Sequence, residues 1–246
     1  MQESNLMISK ITNWIKNYCL ENTLETLVVG ISGGIDSSVV SALCAKTELK
    51  VFAVSMPINQ IKSQHDLSLS HGKWLTDNFK NVKHLVIDLS NLYKEFEKSL
   101  SSFRSDHAFA NSKSRLRMVT LHQISGSNNG LVVGTGNKVE DFGVGFYTKY
   151  GDGGVDISPI ADFMKTEVWE LGKELNILES IIDAPPTDGL WDDGRTDLDQ
   201  LGGLSYQELE EAMVNSNSKF YNDYNKIRKP NLHKMKPIPI FKKNEN

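Results

Sequence analysis

The amino-acid sequence predicts an α/β fold in which helices cover both faces of a mostly parallel sheet. Four short apolar segments alternate with helical patterns along the first 134 residues, and this alternation is typical of parallel βαβ units. Most of these segments are apolar along their whole length and not at every second residue. Strands of that kind are buried on both faces, so we expect three layers, α/β/α.

Short apolar runs that end at glycine, proline or polar residues mark the predicted strands, which are residues 27–31, 51–56, 82–87 and 131–134. Apolar residues at helical spacing, from Ile8 to Tyr18, mark a first helix. Further helices are predicted over residues 36–46, 63–78, 89–103, 111–124, 165–175 and 206–215. A cap at Asp36, Ser37 or Ser38 would start the second helix. Residues 185–203 form a polar loop that is too long for a plain connector.

Length and composition set broad limits on the class of protein. The 246 residues fit one α/β domain, and a net charge of −4 gives no general basic surface for DNA or RNA. Basic residues do gather between 226 and 243, either as a solvated tail or as a contact for a polyanion. The sequence contains two cysteines, no run of about 18 apolar residues and no signal peptide pattern, so we expect a cytoplasmic protein without membrane contact.

A glycine-rich loop joins the first predicted strand to the helix that follows it. Glycines allow a sharp turn and a close approach of the backbone to a ligand, and the N–H groups of a helix N-terminus attract anions. Residues 32–38, SGGIDSS, therefore predict a phosphate cradle. Neither the P-loop lysine nor the G-x-G-x-x-G pattern is present. Asp36 fits beside phosphate if Mg²⁺ bridges the two; the alternative is a tight turn with an aspartate cap.

The loop resembles the pyrophosphate-binding motif S-G-G-x-D-S of the N-type ATP pyrophosphatase superfamily. This superfamily includes NAD synthetases, GMP synthetases, asparagine synthetases and several tRNA-modifying enzymes. The resemblance implies cleavage of ATP between its α and β phosphates, through an adenylate. It also implies an adenine nucleotide alpha hydrolase-like fold, with five strands in a mostly parallel sheet.

Later segments resemble NAD synthetases and follow in the same order. Residues 111–118 match the pattern N-x-x-[AS]-R-x-R-M, and residues 133–140 match G-T-G-N-K-x-E after one leading residue. Residues 145–156, GFYTKYGDGGVD, are the strongest discriminator, because a match of this length is improbable by chance. Tyr206 and the glycines of the segment 189–202 resemble a family loop that orders over the substrates.

The resemblance implies roles for individual residues. It places ATP on Gly30, Ile31, Ser32, Gly33, Gly34, Ile35, Asp36, Ser37, Thr135, Lys165 and Thr187. It places the substrate deamido-NAD on Arg115, Lys149, Asp156, His233 and Lys234. Asp36 and Glu140 are the implied Mg²⁺ ligands. Together with Lys165, which would reach the ATP phosphates, they are the implied catalytic residues.

The implied reaction is the ATP-dependent amidation of nicotinic acid adenine dinucleotide (deamido-NAD) by ammonia, giving NAD⁺, AMP and pyrophosphate. We expect a single synthetase domain over residues 1–246, without the amidase domain of glutamine-dependent forms, and therefore use of free ammonia. A homodimer is implied by the same resemblance. Two alternatives stay open at this point. One is another synthetase of the superfamily, GMP synthetase-like or tRNA-modifying, and the other is a non-catalytic adenine-nucleotide-binding module.

Overall fold

Four parallel strands form the central sheet, in the spatial order β3-β2-β1-β4. The structure is a computed structural model that describes residues 2–191 and 193–243. The strands are β1 (Thr26–Gly30), β2 (Lys50–Ser55), β3 (Val82–Val86) and β4 (Gly130–Val132). The chain-order connections place a helix after each of the first three strands, which agrees with the predicted βαβ units.

Ten α-helices and one π-helix are present in the described residues. The α-helices are α1 (Gln2–Glu21), α2 (Ile35–Lys46), α3 (Lys62–Asn78), α4 (Ser90–Ser99), α5 (Asp106–Gly126), α6 (Lys165–Glu174), α7 (Glu179–Ile182), α8 (Asp197–Gln200), α9 (Tyr206–Val214) and α10 (Tyr221–Met235). The π-helix spans Lys138–Val144. Three of these elements, α7, α10 and the π-helix, had no counterpart in the sequence prediction, and α8 lies inside the predicted polar loop.

The sheet has four strands in the described residues, so the expectation of five strands was wrong. The chain returns beside β4 at Asp156 and Ile157, where both backbone N–H groups donate to the Val132 carbonyl, and Ile157 forms an isolated parallel bridge to Val133. Two features stop this pairing from growing. The carboxylate of Asp156 accepts the hydrogen bond of the Val132 backbone N–H at 2.7 Å, and Pro159, two residues further on, has no N–H to donate to a ladder.

Alternate residues of β1 point to opposite faces of the sheet, and each face is covered by helices. Leu27 and Val29 belong to a core cluster with residues of α1, α2 and α6. Val28 belongs to a second cluster that also contains Phe52 and is packed against side chains of α5. The three-layer prediction is therefore confirmed. Each of these fully buried aliphatic side chains contributes about 1.5–3 kcal/mol relative to an exposed one.

A third core cluster lies outside these layers and supports the π-helix. Its buried members are Val139, Val144, Leu201, Leu204, Tyr206, Leu209, Ala212 and Tyr224. They join the π-helix to α9 and α10, so the C-terminal basic stretch is not only a solvated tail: residues 221–235 are helical and packed. No helix among the described residues is long and apolar enough to cross a membrane.

Candidate active site

The predicted ligand-binding segments meet at one edge of the sheet, where the carboxyl ends of β1 and β4 are neighbours. Val28 of β1 pairs with Val132 of β4, so the residues that follow each strand leave the sheet on the same side. Thr135 follows β4 on this side, and the loop 31–34, which leads into α2, follows β1. Open parallel sheets bind ligands beyond the carboxyl ends of their strands, which makes this edge the candidate site.

The loop between β1 and α2 is a tight turn held by its own hydroxyl groups. Gly33 has a φ of +91°, and a Cβ atom there would lie 2.7 Å from the backbone nitrogen of Ser68. The turn therefore requires glycine. The hydroxyls of Ser32 and Ser37 lie 3.1 Å apart, and the Ser32 hydroxyl accepts a hydrogen bond from the backbone N–H of Gly34. Ser32 is exposed and Gly34 is half-buried, so part of the turn is accessible to a ligand.

No side chain caps α2, so the predicted cap at Asp36, Ser37 or Ser38 was wrong. The N-cap residue is Gly34. The hydroxyls of Ser37 and Ser38 both donate to the Gly34 carbonyl, at 3.0 and 2.9 Å, and do not accept from the helix. A helix start without a capping side chain leaves backbone N–H groups for an external acceptor, and an oxyanion is the acceptor that the helix dipole favours.

Lys165, at the first position of α6, joins the two predicted metal ligands. Its Nζ atom lies 2.5 Å from Asp36 Oδ2 and 2.9 Å from Glu140 Oε1. The side chain of Lys165 is 3% exposed, and those of Asp36 and Glu140 are 17% and 16% exposed. The three predicted catalytic residues therefore form one nearly buried cluster, in which two carboxylates converge on a single cationic group.

This donor set fits a divalent cation that is also held by phosphate. Two carboxylates close enough to share one ammonium group are close enough to share one metal ion. No group of three or more histidine, cysteine, aspartate or glutamate side chains able to hold a metal occurs among residues 2–191 and 193–243. Mg²⁺ is commonly bound in this way, by one or two carboxylates with the remaining positions filled by phosphate and water.

The two carboxylates set the protonation of Lys165. Burial alone would lower the pKa of its ammonium group, but the charges and hydrogen bonds of Asp36 and Glu140 outweigh burial and raise the pKa above its ordinary value. Lys165 is therefore a fixed positive charge and not a general base. A fixed cation at this edge would stabilise negative charge on a leaving phosphate group.

Asn137 fixes the position of both carboxylates. Its Nδ2 donates to Asp36 Oδ1 at 3.0 Å, while its Oδ1 accepts from the backbone N–H groups of Val139 and Glu140 at 3.0 and 3.1 Å. Asn137 is thereby the N-cap of the π-helix that carries Glu140. Short π-helical segments occur often at functional sites, and here the segment turns Glu140 towards Asp36.

Tyr206 and Asp197 extend the cluster on the side of Glu140. The Tyr206 hydroxyl lies 2.6 Å from Glu140 Oε1 and 2.8 Å from Asp197 Oδ2. The ring of Tyr206 also lies 4.8 Å from the Nζ atom of Lys165, within the range of a cation–π contact. Asp197 is the first residue of α8, inside the polar loop 185–203.

The predicted deamido-NAD residues fall around the segment 145–156. Arg115 of α5 donates to the carbonyl of Lys149 at 3.4 Å. Lys234 of α10 donates to the carbonyl of Tyr147 at 2.8 Å and lies 5.0 Å from its ring centroid. The segment is also fixed to α5 by Ser114, whose hydroxyl donates to the Asp152 carboxylate at 2.6 Å. Through these contacts α5 and α10 bring Arg115 and Lys234 to the segment that contains Lys149.

Other predicted residues make contacts of a different kind. The carboxylate of Asp156 is bound to the backbone of β4. The hydroxyl of Thr187 donates to the Arg195 carbonyl and accepts from the Gly189 backbone N–H, so its described contacts stay within its own loop. His233 lies on α10 beside Lys234, with an exposed side chain. Their predicted ligand contacts stay predictions.

Sequence reasoning assigned no chemical role to Asn137, Tyr206 or Asp197. Asn137 lies within the motif 133–140, and the preference for asparagine at a helix N-cap is a sequence signal that could have been used. The resemblance placed Tyr206 with a loop that orders over the substrates but not beside Glu140, because 66 residues separate the two and only the fold brings them together. Asp197 was not singled out.

The chain is similar to proteins of one family along nearly its whole length. The NAD synthase family model matches residues 7–242. An NH3-dependent NAD⁺ synthetase from Carboxydothermus hydrogenoformans is 36% identical over 211 residues, 83% of each chain. The structure of an NMN synthetase from Francisella tularensis superposes with a TM-score of 0.89 at 32% identity, covering 98% of this chain and 99% of that one.

The fold of a further relative also matches. An NH3-dependent NAD synthetase from Campylobacter jejuni superposes with a TM-score of 0.77 at 27% identity, covering 97% of this chain and 99% of that one. These similarities confirm the predicted resemblance and favour a C–N bond-forming ligase over the two alternatives left open by the sequence. With the motifs 32–37, 133–140 and 145–156 assembled at one sheet edge, the chain belongs to the NAD synthase family.

Proposed function

We propose that this protein amidates nicotinic acid adenine dinucleotide with ammonia at the expense of ATP, giving NAD⁺, AMP and pyrophosphate. The observation that carries the proposal is the cluster of Lys165 with Asp36 and Glu140, beside the uncapped N-terminus of α2. It combines a fixed cation, a pair of metal-binding carboxylates and a backbone anion site. These are the groups needed to bind ATP and to stabilise departing pyrophosphate.

The chemistry explains why ATP is required. A pyridine carboxylate is a poor acyl donor to ammonia, because oxide would have to leave. Attack of the carboxylate on the α-phosphate releases pyrophosphate and forms an acyl-adenylate, from which AMP is a competent leaving group when ammonia attacks. The chain needs no covalent nucleophile for this sequence. Its contribution is to align the two substrates and to neutralise charge on the phosphates, through the turn 32–37 and the ammonium of Lys165.

Asp36 and Glu140 are the proposed ligands of Mg²⁺, which would neutralise phosphate charge when bound. Lys165 has a second task in this proposal. Its ammonium neutralises the charge of the two carboxylates. The same group would contact ATP phosphates when a bound metal ion neutralises that charge instead. Thr135 and Thr187 are the proposed further contacts to ATP.

The nicotinate-bearing substrate is proposed to lie along the segment 145–156. Arg115 donates to the backbone carbonyl of Lys149, and Lys234 donates to the backbone carbonyl of Tyr147 in the same segment. His233 and Asp156 complete the proposed set. Three cationic side chains and a histidine suit a substrate that carries a pyrophosphate and a carboxylate.

Free ammonia is the proposed nitrogen source, and a single synthetase domain over residues 1–246 is part of the same proposal. The support is that the synthetase motifs and the family match extend over residues 7–242 and that the similar Carboxydothermus protein is named for its use of NH3. We further propose that the protein is a cytoplasmic homodimer. Light scattering would measure its mass in solution.

One assay tests the main proposal. Purified protein is mixed with ATP, Mg²⁺, ammonium and nicotinic acid adenine dinucleotide, and NAD⁺ and AMP are quantified together. Equal amounts of NAD⁺ and AMP are expected, since each amidation consumes one α–β cleavage. Formation of ADP in place of AMP, or ATP cleavage without NAD⁺, would contradict the proposal.

The metal assignment has its own variants. Asp36→Asn and Glu140→Gln keep the size and hydrogen-bonding capacity of each side chain but remove a charge, and each should lower turnover by about 10²-fold or more, as loss of a group that stabilises transition-state charge does. Asp162→Asn is the matched control, because Asp162 is 92% exposed and pairs only with Lys138 on the surface. Wild-type turnover in Asp36→Asn or Glu140→Gln would refute the assignment.

A second candidate acceptor is nicotinic acid mononucleotide, which would be amidated to nicotinamide mononucleotide. The specific observation is the close match over nearly the whole length of both chains to the Francisella protein described as an NMN synthetase. The chemistry at the carboxylate would be the same, and the two acceptors differ only in the adenylyl half. Ratios of kcat/KM for the two acceptors, measured at saturating ATP and ammonium, decide between them.

A further inference from the structure

The side chain that donates a hydrogen bond to Glu140 also contacts the loop 185–203. Tyr206 lies at the start of α9 and contacts Glu140, and its hydroxyl also meets Asp197 from the loop. We propose that Asp197 and Tyr206 are positioning residues that hold the metal carboxylate Glu140 and make its orientation depend on the contact with the loop 185–203. The inference rests on the proposed metal role of Glu140.

The direction of the hydrogen bonds follows from counting hydrogens. A tyrosine hydroxyl has one hydrogen, so Tyr206 can donate to only one of its two carboxyl partners. Glu140 receives it, since Glu140 is held ionised by the ammonium of Lys165 2.9 Å away. The contact of 2.8 Å on the other side is then a hydrogen bond that Tyr206 accepts, and its donor is the protonated carboxyl group of Asp197.

The surroundings of Asp197 favour the neutral form. The residue is only 5% exposed, and its Oδ1 atom has no hydrogen-bond partner among the described residues. An ionised carboxylate with an unpaired buried oxygen would be costly. Burial first, and then the charge of Glu140, raise the pKa of Asp197 to about 7, although Lys165 opposes the shift.

The same residue anchors the loop. The backbone N–H of Asp197 donates to the carbonyl of Pro186 at 3.0 Å, across the base of the loop. The tip of the loop is held from elsewhere, because Lys113 of α5 donates to the carbonyl of Leu190 and Gln60 donates to the carbonyl of Gly189. Asp197 is therefore the point at which a loop docked on α5 contacts Tyr206, the hydrogen-bond partner of Glu140.

Three variants separate positioning from plain packing. Tyr206→Phe removes the hydroxyl and keeps the ring. Asp197→Ala removes the donor to Tyr206, whereas Asp197→Asn keeps a donor, because its amide nitrogen can replace the protonated carboxyl oxygen. Asp199→Asn is the control: Asp199 is exposed in the same short helix and caps its first residues. Far-UV circular dichroism and a thermal melt establish that each variant is folded.

Metal binding is measured with α,β-methylene-ATP, an analogue that cannot be cleaved between the α and β phosphates. Its dissociation constant is determined at pH 6.5 with Mn²⁺ and again with EDTA. The ratio of the constant in EDTA to the constant in Mn²⁺ measures the contribution of the metal. Tyr206→Phe and Asp197→Ala should each lower this ratio about tenfold, the usual effect of losing a hydrogen bond that orients a metal ligand. Asp197→Asn and Asp199→Asn should stay within about twofold of the wild type, as changes that keep the local hydrogen bonds do.

Docking of the loop is measured on the same proteins by limited trypsin cleavage after Arg195, a loop residue whose side chain is 39% exposed. Bound Mn²⁺ and analogue should slow this cleavage in the wild type, and Tyr206→Phe should lose most of that protection. An unchanged ratio of dissociation constants in Tyr206→Phe would overturn this inference and leave the metal assignment standing. Equal decreases of the ratio in Asp197→Asn and Asp197→Ala would do the same. A wild-type protein whose analogue affinity does not respond to Mn²⁺ would overturn the metal assignment as well.

Discussion

Lys165 and Asp36 are 129 positions apart in the chain, yet Nζ of the lysine lies 2.5 Å from a carboxylate oxygen of the aspartate. Glu140 shares the same ammonium group. The lysine side chain is nearly inaccessible to solvent, so its positive charge is stable only because these two carboxylates surround it. The protein thus keeps an internal cation at the position where a metal ion would balance the same two charges.

Removal of this cation should destabilise the protein in a way that a metal ion can reverse. Lys165→Met leaves two nearly buried carboxylates facing each other, and the free energy of unfolding in EDTA should fall by about 3–5 kcal/mol, the cost of breaking a buried ion pair. Excess Mg²⁺ should restore much of the loss. The measurement is urea denaturation in EDTA and in Mg²⁺. Lys138→Met, which removes only a surface ion pair with Asp162, should change stability by less than about 1 kcal/mol. Equal losses in both variants would contradict the prediction.

The turn at Gly33 should not tolerate a side chain. Gly33→Ala places a methyl group 2.7 Å from the backbone nitrogen of Ser68 at a φ of +91°, so the turn must move or the residue is strained by about 1–2 kcal/mol. We expect KM for ATP to rise about tenfold or more, since 1.4 kcal/mol corresponds to a factor of ten. The control is Gly126→Ala, because no atom lies within 4 Å of the added Cβ at that helical position. An unchanged KM in Gly33→Ala would show that the turn does not contact the nucleotide.

Ser114 should affect the nicotinate-bearing substrate and not ATP. Its hydroxyl binds the Asp152 carboxylate at 2.6 Å and accepts from the Asp152 backbone N–H at 2.8 Å, which fixes the segment 145–156 to α5. Ser114→Ala should raise KM for the nicotinate substrate by about tenfold, as loss of a buried hydrogen bond to a charged group costs about 1.5 kcal/mol or more. Ser112→Ala removes a hydroxyl that bonds only to its own helix, at Ala108, and should leave both KM values unchanged. A parallel rise in KM for ATP would show that the segment is not specific to one substrate.

Buried His71 should make the protein less stable as the pH falls below neutrality. Burial, with a smaller contribution from His84, lowers the pKa of His71 from 6.5 to about 4. Below pH 6.5 His71 therefore binds a proton in the unfolded chain but not in the folded protein. Its contribution to the free energy of unfolding is complete above pH 6.5 and is lost as the pH falls towards 4.

This dependence can be isolated by substitution. Between pH 7 and 5 the wild type should lose about 2 kcal/mol more than His71→Gln, because each pKa unit corresponds to 1.36 kcal/mol. Glutamine keeps an amide group that can reach Ser41, the hydrogen-bond partner of His71 at 2.8 Å. Identical pH profiles of the free energy of unfolding would contradict the prediction.

Local patterns were sufficient to predict most of the fold. The predicted bounds agree with the structure to within one residue at each end for the strands β1 and β2 and for the helices α2, α3, α6 and α9. Each has an uninterrupted apolar run or a clear helical spacing. The helix α5 starts five residues before the predicted position, at Asp106, since Ser105 caps it by accepting from Ala108. That cap follows a polar stretch in which no apolar periodicity marks the start.

The errors came from tertiary contacts that local patterns do not carry. A fifth strand was expected from the resemblance, but Asp156 uses its side chain where a strand would use its backbone. Asp36, Glu140 and Lys165 were predicted as catalytic residues from separate motifs, and in the structure Lys165 contacts both carboxylates. Asn137 was overlooked although it holds both carboxylates, because its role depends on hydrogen bonds to partners on two different segments.

The side-chain bond of Asp156 to β4 has a consequence for the behaviour of the protein in concentrated solution. β4 is an edge strand, and the outward N–H of an edge strand is a template on which a strand of another molecule can add. In this protein that donor, on Val132, is already taken by a carboxylate. An incoming strand would have to displace it and would meet a negative charge, so this side of the sheet is protected against edge-to-edge aggregation.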